Sequence, residues 1–532
     1  MTTILAFLLV WFALVAPEEI TQLTPAVFIR IPIEGIVLAA LVLVLPGRAR
    51  NVVMATVGVL LGVLALVKIL DMVFFVALNR PFNPVIDRSY AGSAVSLLGD
   101  AIGRHDAIVF LIVFVAAAIA VLVFTPLSVL RLSRLLTRHR ATSLRTVAAL
   151  GVVWVLCAAF GAQIVSRAPI AATSAAGAAY EQVSQVRAGI ADQQSFAKSA
   201  AVDPFRGASG SDLLGALRGK DVVVAFVESY GQVAVQGTSF SPQVDSVLDD
   251  GTARLRAAGY SSESAWMTSP TFGGISWLAH STLQSGLWID NQQRYNDLVK
   301  TDRFTLSDAF KRAGWRTVAD VPSNREDWPE GTSFYHYDTI YDARNVGYAG
   351  PSFSYASMPD QYTLSAFQNL ELAKPDHTPV MAEIDLVSSH TPWAPLPRLV
   401  DWNQVGDGSI FDGMPAQGQS PTTVWRDAHQ VQAAYGQSIQ YSLNSLISFL
   451  QTYDDKNLVL ILLGDHQPAT IVSGQGANHE VPITIIAHDP AVMDRISGWG
   501  WQDGLRPGPG APNWRMDAFR DRFLTAFSAT SN

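Results

Sequence analysis

The chain has 532 residues, 49% of them hydrophobic and only 15% charged, with a formal net charge of −8 at pH 7. That balance, without a basic stripe in the second part of the chain, offers no footing for nucleic acid. A single cysteine, Cys157, excludes an intramolecular disulfide, so stability has to come from core packing.

The averages hide a division. The first third carries five apolar blocks, Thr3–Ala16, Ala26–Pro46, Val52–Leu78, Ala107–Leu130 and Thr146–Ser166. A spanning helix needs roughly 20 apolar residues, so four blocks suffice and the first is short. A cleaved signal peptide is the other reading of that first block, but it lacks a basic start and a small-residue cleavage site. Arginines set the orientation: Arg48 and Arg50 follow the second block, and Arg131, Arg134, Arg138, Arg140 and Arg145 follow the fourth. With five spans, both loops fall on the cytoplasmic side. Glu18–Pro25, Asn79–Asp106 and everything after Ser166 then lie outside. Arg30 and Glu34, and Lys68 and Asp71, interrupt two spans toward the outer leaflet. They read either as two local pairs or as one polar site that receives a lipid headgroup.

The expected organisation is therefore a transmembrane domain over 1–166, a connector over 167–219 and an extracytoplasmic domain over 220–532. The connector is rich in Ala, Ser, Gly and Gln, and Ala178–Lys198 reads as a surface helix along the membrane. Beyond it, short apolar runs predict strands at Asp221–Val227, Arg316–Val321, Val380–Leu386, Leu458–Leu463 and Pro482–Ala487. Helices are predicted at Val244–Ala258, Ser276–Gln284, Thr305–Ala313, Asp360–Leu372, Val424–Gln451 and Trp514–Phe527, with Gly259 and Gly314 as stops. Trp402–Thr423 reads as a long surface loop. The alternation implies an α/β sandwich around a largely parallel sheet, whose ligands gather at the carboxyl ends of the strands.

Glu228, Asp465 and His466 sit at such ends. Ser276 follows Gly273-Gly274-Ile275 and opens a predicted helix, where free N–H groups and the helix dipole favour a phosphate. On its own Ser276 reads as a helix cap, with Ser269 and Thr271 as competing hydroxyls. Joined by Glu228, Asp465 and His466 it becomes a ligand of a divalent ion that orients and acidifies its hydroxyl. Oxygen-rich ligation suits Mn²⁺ or Mg²⁺, and the histidine also admits Zn²⁺. His390 and His479, each near a predicted strand, are candidates for binding a phosphate oxygen, protonating a leaving alkoxide or holding a second metal; a solvated loop histidine is the plain alternative for each. His280, His336, His377 and His429 read as structural or surface residues.

The stretches Val222–Tyr230, Gly273–Ser276, Tyr337–Ala343, Ser389-His390-Thr391-Pro392 and Gly464-Asp465-His466 carry a resemblance. On them the soluble part resembles the alkaline phosphatase and sulfatase superfamily. Within it, the chain is similar to the lipoteichoic acid synthase group of membrane phosphoglycerol transferases, over about Lys220 to Asp489 and in its five-span layout. The resemblance implies Glu228, Ser276, Asp465 and His466 as metal ligands, with Mn²⁺ foremost and Ser276 where that group usually has threonine. It implies His390 as a contact to the substrate headgroup, and more loosely His479 and Arg325. Ser269-Pro270-Thr271 lacks the C/S-x-P-x-R pattern of a sulfatase, which argues against sulfate ester hydrolysis. Missing cysteine pairs lean the subgroup from phosphoethanolamine toward phosphoglycerol. The implied activity moves a phospho-alcohol from a phospholipid, phosphatidylglycerol by resemblance, to an envelope glycan or glycolipid through Ser276. A phosphoethanolamine transferase, a phosphodiesterase and a catalytically silent envelope scaffold are the rival readings.

Overall fold

The computed structural model describes residues 2–87, 104–163, 169–172, 174–374 and 377–528. Most of the loop Asn79–Asp106 and the end of the fifth apolar block lie outside the described residues. The chain divides into two compact units, Met1–Gln193 and Gln194–Asn532.

The first unit is helical: α1 (Thr3–Val15), α2 (Ile33–Val44), α3 (Gly47–Leu78), α4 (Arg104–Arg138), α5 (Arg140–Ala159) and most of α6 (Ser174–Ala201). Three of these helices have stretches long and apolar enough to cross a membrane, Gly47–Leu78, Ile108–Arg138 and Arg140–Ala159; α1 and α2 are shorter apolar helices. The expectation of five spans is thus met in part. The second block splits, because Pro25–Ile29 forms a 3₁₀ turn and Pro32 precedes α2. α3 and α4 approach closely where a Cβ on Gly58 would fall 2.4 Å from Pro126 Cα, the small-residue contact that substitutes for hydrophobic drive in lipid. Among the described residues no ion pair joins Arg30 to Glu34 or Lys68 to Asp71. Instead Lys68 Nζ donates to Ala13 O at 3.4 Å, Asp71 Oδ1 accepts from Phe82 N at 2.8 Å, and Glu34 Oε1 accepts from Ala176 N at 2.9 Å.

In the second unit nine strands form one sheet: β1 (Asp221–Val227), β2 (Ser261–Thr268), β3 (Arg316–Val321), β4 (Thr339–Asp342), β5 (Val380–Leu386), β6 (Leu458–Gly464), β7 (Glu480–Ala487), β8 (Gln502–Asp503) and β9 (Asn513–Arg515). Their order is β8-β2-β7-β6-β1-β5-β3-β4, with β9 beside β2. The half from β6 to β4 is parallel, and β6/β7, β7/β2 and β2/β8 are antiparallel. The sheet is therefore mixed, with five of its eight pairings parallel, that of β9 with β2 included. All five predicted strands are present, and β1 and β6 are buried on both faces as their unbroken apolar runs require, whereas β5 carries Glu383 and Asp385.

Helices cover both faces. On one lie α8 (Ser276–Ser285), α9 (Leu306–Ala313) and α11 (Phe519–Phe527), over a core that includes Val224, Phe226, Leu278 and Phe523. On the other lie α7 (Ser241–Ala257) and α10 (Ala428–Tyr453), over Val223, Ala225, Leu446 and Leu460. α9 is capped at both ends, by a Thr305/Asp308 capping box and by Gly314 at φ +101°. The predicted helix Trp514–Phe527 begins instead as strand β9, passes through a 3₁₀ turn at Met516–Ala518 and becomes α-helical at Phe519. Trp402–Thr423 holds only short helical turns.

Residues 194–219 supply Phe196, Ala200, Leu213, Leu214 and Leu217 to the first core layer. Asp203 anchors them. Its buried carboxylate takes Arg303 Nε at 3.1 Å and Arg520 Nη1 at 2.7 Å. Removing that carboxylate strips Arg303 of its ion-pair partner among the described residues and leaves buried Arg520 with Asp521 alone, Nη2 to Oδ1 at 2.7 Å. Asp203→Ala is therefore expected to destabilise this unit by about 3–5 kcal/mol, read as a lower urea midpoint; a change within about 1 kcal/mol would mean the charges behave as a solvated pair.

Candidate metal centre and nucleophile

β1 and β6 pair in parallel with Val227 opposite Gly464. The next residue of each strand, Glu228 and Asp465, therefore emerges beside the other at the carboxyl edge of the sheet. Gly464 is needed for this approach: a Cβ there would lie 1.9 Å from Tyr230 O. Ser276 arrives from a third element. Gly273 and Gly274 turn the chain at φ +71° and +155°, Ile275 follows at φ +68°, and Ser276 begins α8. A β-branched residue in the left-handed region stores about 1–3 kcal/mol of strain, which the surrounding fold must hold in place.

The four side chains converge. Ser276 Oγ donates to Glu228 Oε2 at 2.8 Å and lies 3.2 Å from His466 Nε2. His466 Nε2 is 3.3 Å from Glu228 Oε1 and 3.6 Å from Asp465 Oδ2. Each remaining atom is committed elsewhere. His466 Nδ1 donates to Gln467 O at 2.8 Å, which leaves Nε2 as the lone-pair nitrogen of the neutral ring. Asp465 Oδ1 accepts from Ser229 N and His466 N, each at 2.7 Å. Ser229 Oγ donates to Glu228 Oε1 at 2.9 Å.

Asp465 Oδ2 is buried and has no hydrogen-bond partner among the described residues. A buried carboxylate oxygen left bare is costly unless a cation completes it. Ligand atoms around a divalent ion sit about 3–3.7 Å from one another, given metal–ligand distances near 2.1 Å. Glu228, Asp465 and His466 form a group of this kind, able to hold a metal ion. Electrostatics agree. Burial and the charge of Glu228 push Asp465 up to about 7. Burial lowers His466, but Asp465 and Glu228 outweigh it and bring the ring up to about 9. Burial would likewise raise Glu228, yet the charge and hydrogen bond of His466 hold it well below the usual range. Without a metal the cluster has to share protons; a divalent cation takes their place.

The competing hydroxyls are occupied structurally. Ser269 Oγ donates to Asp465 O at 2.5 Å, and Thr271 Oγ1 donates to Gly274 O at 2.7 Å. His390 has its ring stacked on Tyr355 at 3.5 Å, donates from Nδ1 to Thr391 O, and exerts its charge on Glu228. His479 packs beside Phe272 with Nδ1 3.3 Å from Ser269 O, and burial lowers its pKa, so it stays neutral. Arg325 is exposed, and its Nη2 donates to Ser357 Oγ at 3.2 Å rather than to any of the four converging side chains.

Several supports had no sequence signal of their own. Ser389 Oγ holds Glu228 O at 2.6 Å, and Tyr435 OH holds Ser229 O at 2.8 Å. His280, read from sequence as structural or surface, faces Glu383 and Asp385.

No protein-family model matches the chain. No curated protein matches it either. Among solved structures it is similar to the lipoteichoic acid synthase LtaP from Listeria monocytogenes, at 12% identity over 60% of this chain and 74% of that one, with a TM-score of 0.39. It is similar to the Streptococcus pyogenes phosphoglycerol transferase GacH, solved with sn-glycerol-1-phosphate, at 12% identity over 64% and 91% of the two chains, TM-score 0.35. The soluble domain of lipooligosaccharide phosphoethanolamine transferase A from Neisseria meningitidis matches at 11% identity over 58% and 88%, TM-score 0.34. These likenesses concern the path of the chain; the chemistry rests on the side chains above.

Two outcomes follow. Mn²⁺ at about 100 times its Kd is expected to stabilise the chelator-stripped protein by roughly 2.7 kcal/mol in a thermal melt, a gain that Asp465→Asn diminishes. Protons on His466 and Asp465 both compete with the metal, so affinity measured by titration calorimetry is expected to fall as pH drops below about 9 and more steeply below about 7. A pH-independent affinity would remove both residues from the ligand set.

Proposed function

We propose that the chain is a metal-dependent membrane phosphotransferase that moves a phospho-alcohol group, phosphoglycerol foremost, through a covalent intermediate on Ser276. The observation that carries this reading is the position of Ser276 Oγ, 2.8 Å from Glu228 Oε2 and 3.2 Å from His466 Nε2, on the first turn of a helix. A hydroxyl used only as a cap would face its own backbone; this one faces a carboxylate and an imidazole.

Glu228, Asp465, His466 and Ser276 would hold the divalent ion, Mn²⁺ by the oxygen-rich donor set, with Zn²⁺ or Mg²⁺ as alternatives. Bound there, it supplies Lewis acidity that lowers the hydroxyl's pKa and offsets phosphate charge. The rest falls to the chain. The Ser276 proton has Glu228 Oε2 as its first acceptor. Ser276 Oγ attacks phosphorus; an Oγ–P bond forms and the phosphorus–oxygen bond to diacylglycerol breaks. The leaving alkoxide takes a proton, for which His390 is the candidate, since burial lowers the pKa of His479 and makes it the poorer donor. The α8 N-terminus faces the phosphate oxygens as their charge redistributes. An acceptor hydroxyl then gives its proton back to that histidine, bonds to phosphorus and displaces Ser276 Oγ, which recovers its proton from Glu228.

The donor in this reading is phosphatidylglycerol and the acceptor an envelope glycan or glycolipid. The apolar helices of the first unit anchor the chain in the cell membrane as a multi-pass protein, with the catalytic unit outside the cytoplasm. Arg325 and His390 are assigned to the headgroup. The segment that carries Tyr355 and Ser357 touches both, through the Tyr355–His390 stack and the Ser357–Arg325 hydrogen bond.

The test is incubation of the purified full-length protein with labelled phosphatidylglycerol, followed by the mass of the Ser276 peptide. A phosphoglycerol adduct is expected, discharged by glycan acceptor. Ser276→Ala is expected to lose both adduct and turnover, by roughly 10⁴-fold or more. An adduct discharged equally fast by water alone would make the protein a phosphodiesterase. Unchanged cellular phenotype in Ser276→Ala would make it a scaffold.

A further inference from the structure

α8 carries a polar stripe into the core at helical spacing: Ser276, His280 and Gln284. Ser276 belongs to the cluster above. One turn deeper, the His280 ring lies on Phe226 with centroids 3.9 Å apart and an interplanar angle of 14°. Phe226 pairs in register with Asp385, and Val224 with Glu383. Both carboxylates therefore stand on the sheet face that His280 covers.

The geometry matches that of the cluster around Ser276. His280 Nδ1 is 3.3 Å from Glu383 Oε1 and 3.4 Å from Asp385 Oδ1. Glu383 Oε2 is held by Gln284 Nε2 and by Tyr337 OH, the latter at 3.0 Å, which leaves Oε1 turned to the imidazole. Such outer hydrogen bonds orient a metal-binding carboxylate. Asp385 Oδ1 is buried and has no hydrogen-bond partner among the described residues, and the same is true of His280 Nε2. Among the described residues neither Glu383 nor Asp385 pairs with a lysine or arginine. The adjacent strand buries Asp320 as well, 1% exposed, but its pairing with Ile384 turns it to the opposite face of the sheet. The region is short of positive charge, and one imidazole proton does not balance it. The His280 and Asp385 side chains keep 14% and 21% exposure, so the group is not sealed from solvent.

We infer that His280, Glu383 and Asp385 form a second divalent-cation site, one helical turn behind the nucleophile. One imidazole nitrogen with two carboxylate oxygens suits Zn²⁺ or Mn²⁺ better than Ca²⁺. The site shares no side chain with Glu228, Asp465, His466 and Ser276. A cation there pins α8 to β5 and sets the charge beneath Ser276.

The full-length protein, stripped with chelator and dialysed against Zn²⁺ or Mn²⁺, is to be counted for metal by elemental mass spectrometry. Two equivalents per chain are expected, falling to one in Asp385→Asn, in the isosteric Glu383→Gln, and in Asp465→Asn. A count that Asp385→Asn lowers and Asp465→Asn leaves unchanged supports this site and removes the ligand set proposed around Ser276. A wild-type count of one, abolished by Asp465→Asn and untouched by Asp385→Asn, overturns the second site and leaves the first standing. A wild-type count of zero, with His280 holding only a proton between its two carboxylates, overturns it as well. Where Asp385→Asn fails to fold, the isosteric Glu383→Gln is read in its place.

Discussion

The parallel register of β1 against β6 is the constraint on which the rest of the site depends. Pairing Val227 with Gly464 brings Glu228 and Asp465, far apart in the chain, out of the sheet side by side. Slipping the register by one residue would turn one of these side chains to the opposite face. Gly464 makes the pairing specific, since only a residue without Cβ lets Tyr230 O pass so close. From there each ligand is fixed by backbone. Asp465 Oδ1 is tied to two N–H groups, His466 Nδ1 to a carbonyl, and the Glu228 carbonyl to Ser389. The atoms left over converge, so the order they need was supplied when the sheet formed.

That convergence has an electrostatic consequence. Glu228 and Asp465 are buried with only an imidazole between them, and Glu383 and Asp385 repeat the pattern a turn deeper. Carboxylates gathered in this way resist joint ionisation. The chain elsewhere buries charge with its partners in place, as Asp203 does between Arg303 and Arg520. At the sheet edge it does not, although arginines are at hand in the sequence. The contrast separates a self-sufficient ion network from clusters that could hold a cation.

Much of this was legible before any coordinates. The five predicted strands are all present, most of them as continuous apolar runs of the kind that burial on both faces demands. β2 escaped notice because Ser261–Thr268 mixes polar and apolar residues at the antiparallel side of the sheet. β9 was absorbed into a predicted helix because Trp514 suits either state and only its pairing with β2 decides. In the first unit three helices are long and apolar enough to span, and α1 and α2 are shorter, since composition does not report that Pro32 interrupts the second block. At the site, Asp465-His466 and Glu228 were readable as strand ends and Ser276 as a helix start after glycines. His280 was not: at helical spacing inside α8 it resembles any half-buried histidine. Its partners lie on a strand about a hundred positions away in sequence, where only sheet register joins them.

Arg325 marks a different boundary. The groups that perform chemistry project from strand ends and from the first turn of α8, where backbone hydrogen bonds hold them. Arg325, Tyr355 and Ser357 lie outside strands and helices. Elements of that kind accept substitution and insertion without loss of the core. Under the proposed function, a site divided in this way would keep its metal ligands and nucleophile while the loops changed which alcohol the phosphate carries. On that proposal the sequence speaks more clearly about the reaction class than about the headgroup. The first is written in sheet register and strand ends, the second in loop contacts such as the Tyr355–His390 stack and the Ser357–Arg325 hydrogen bond.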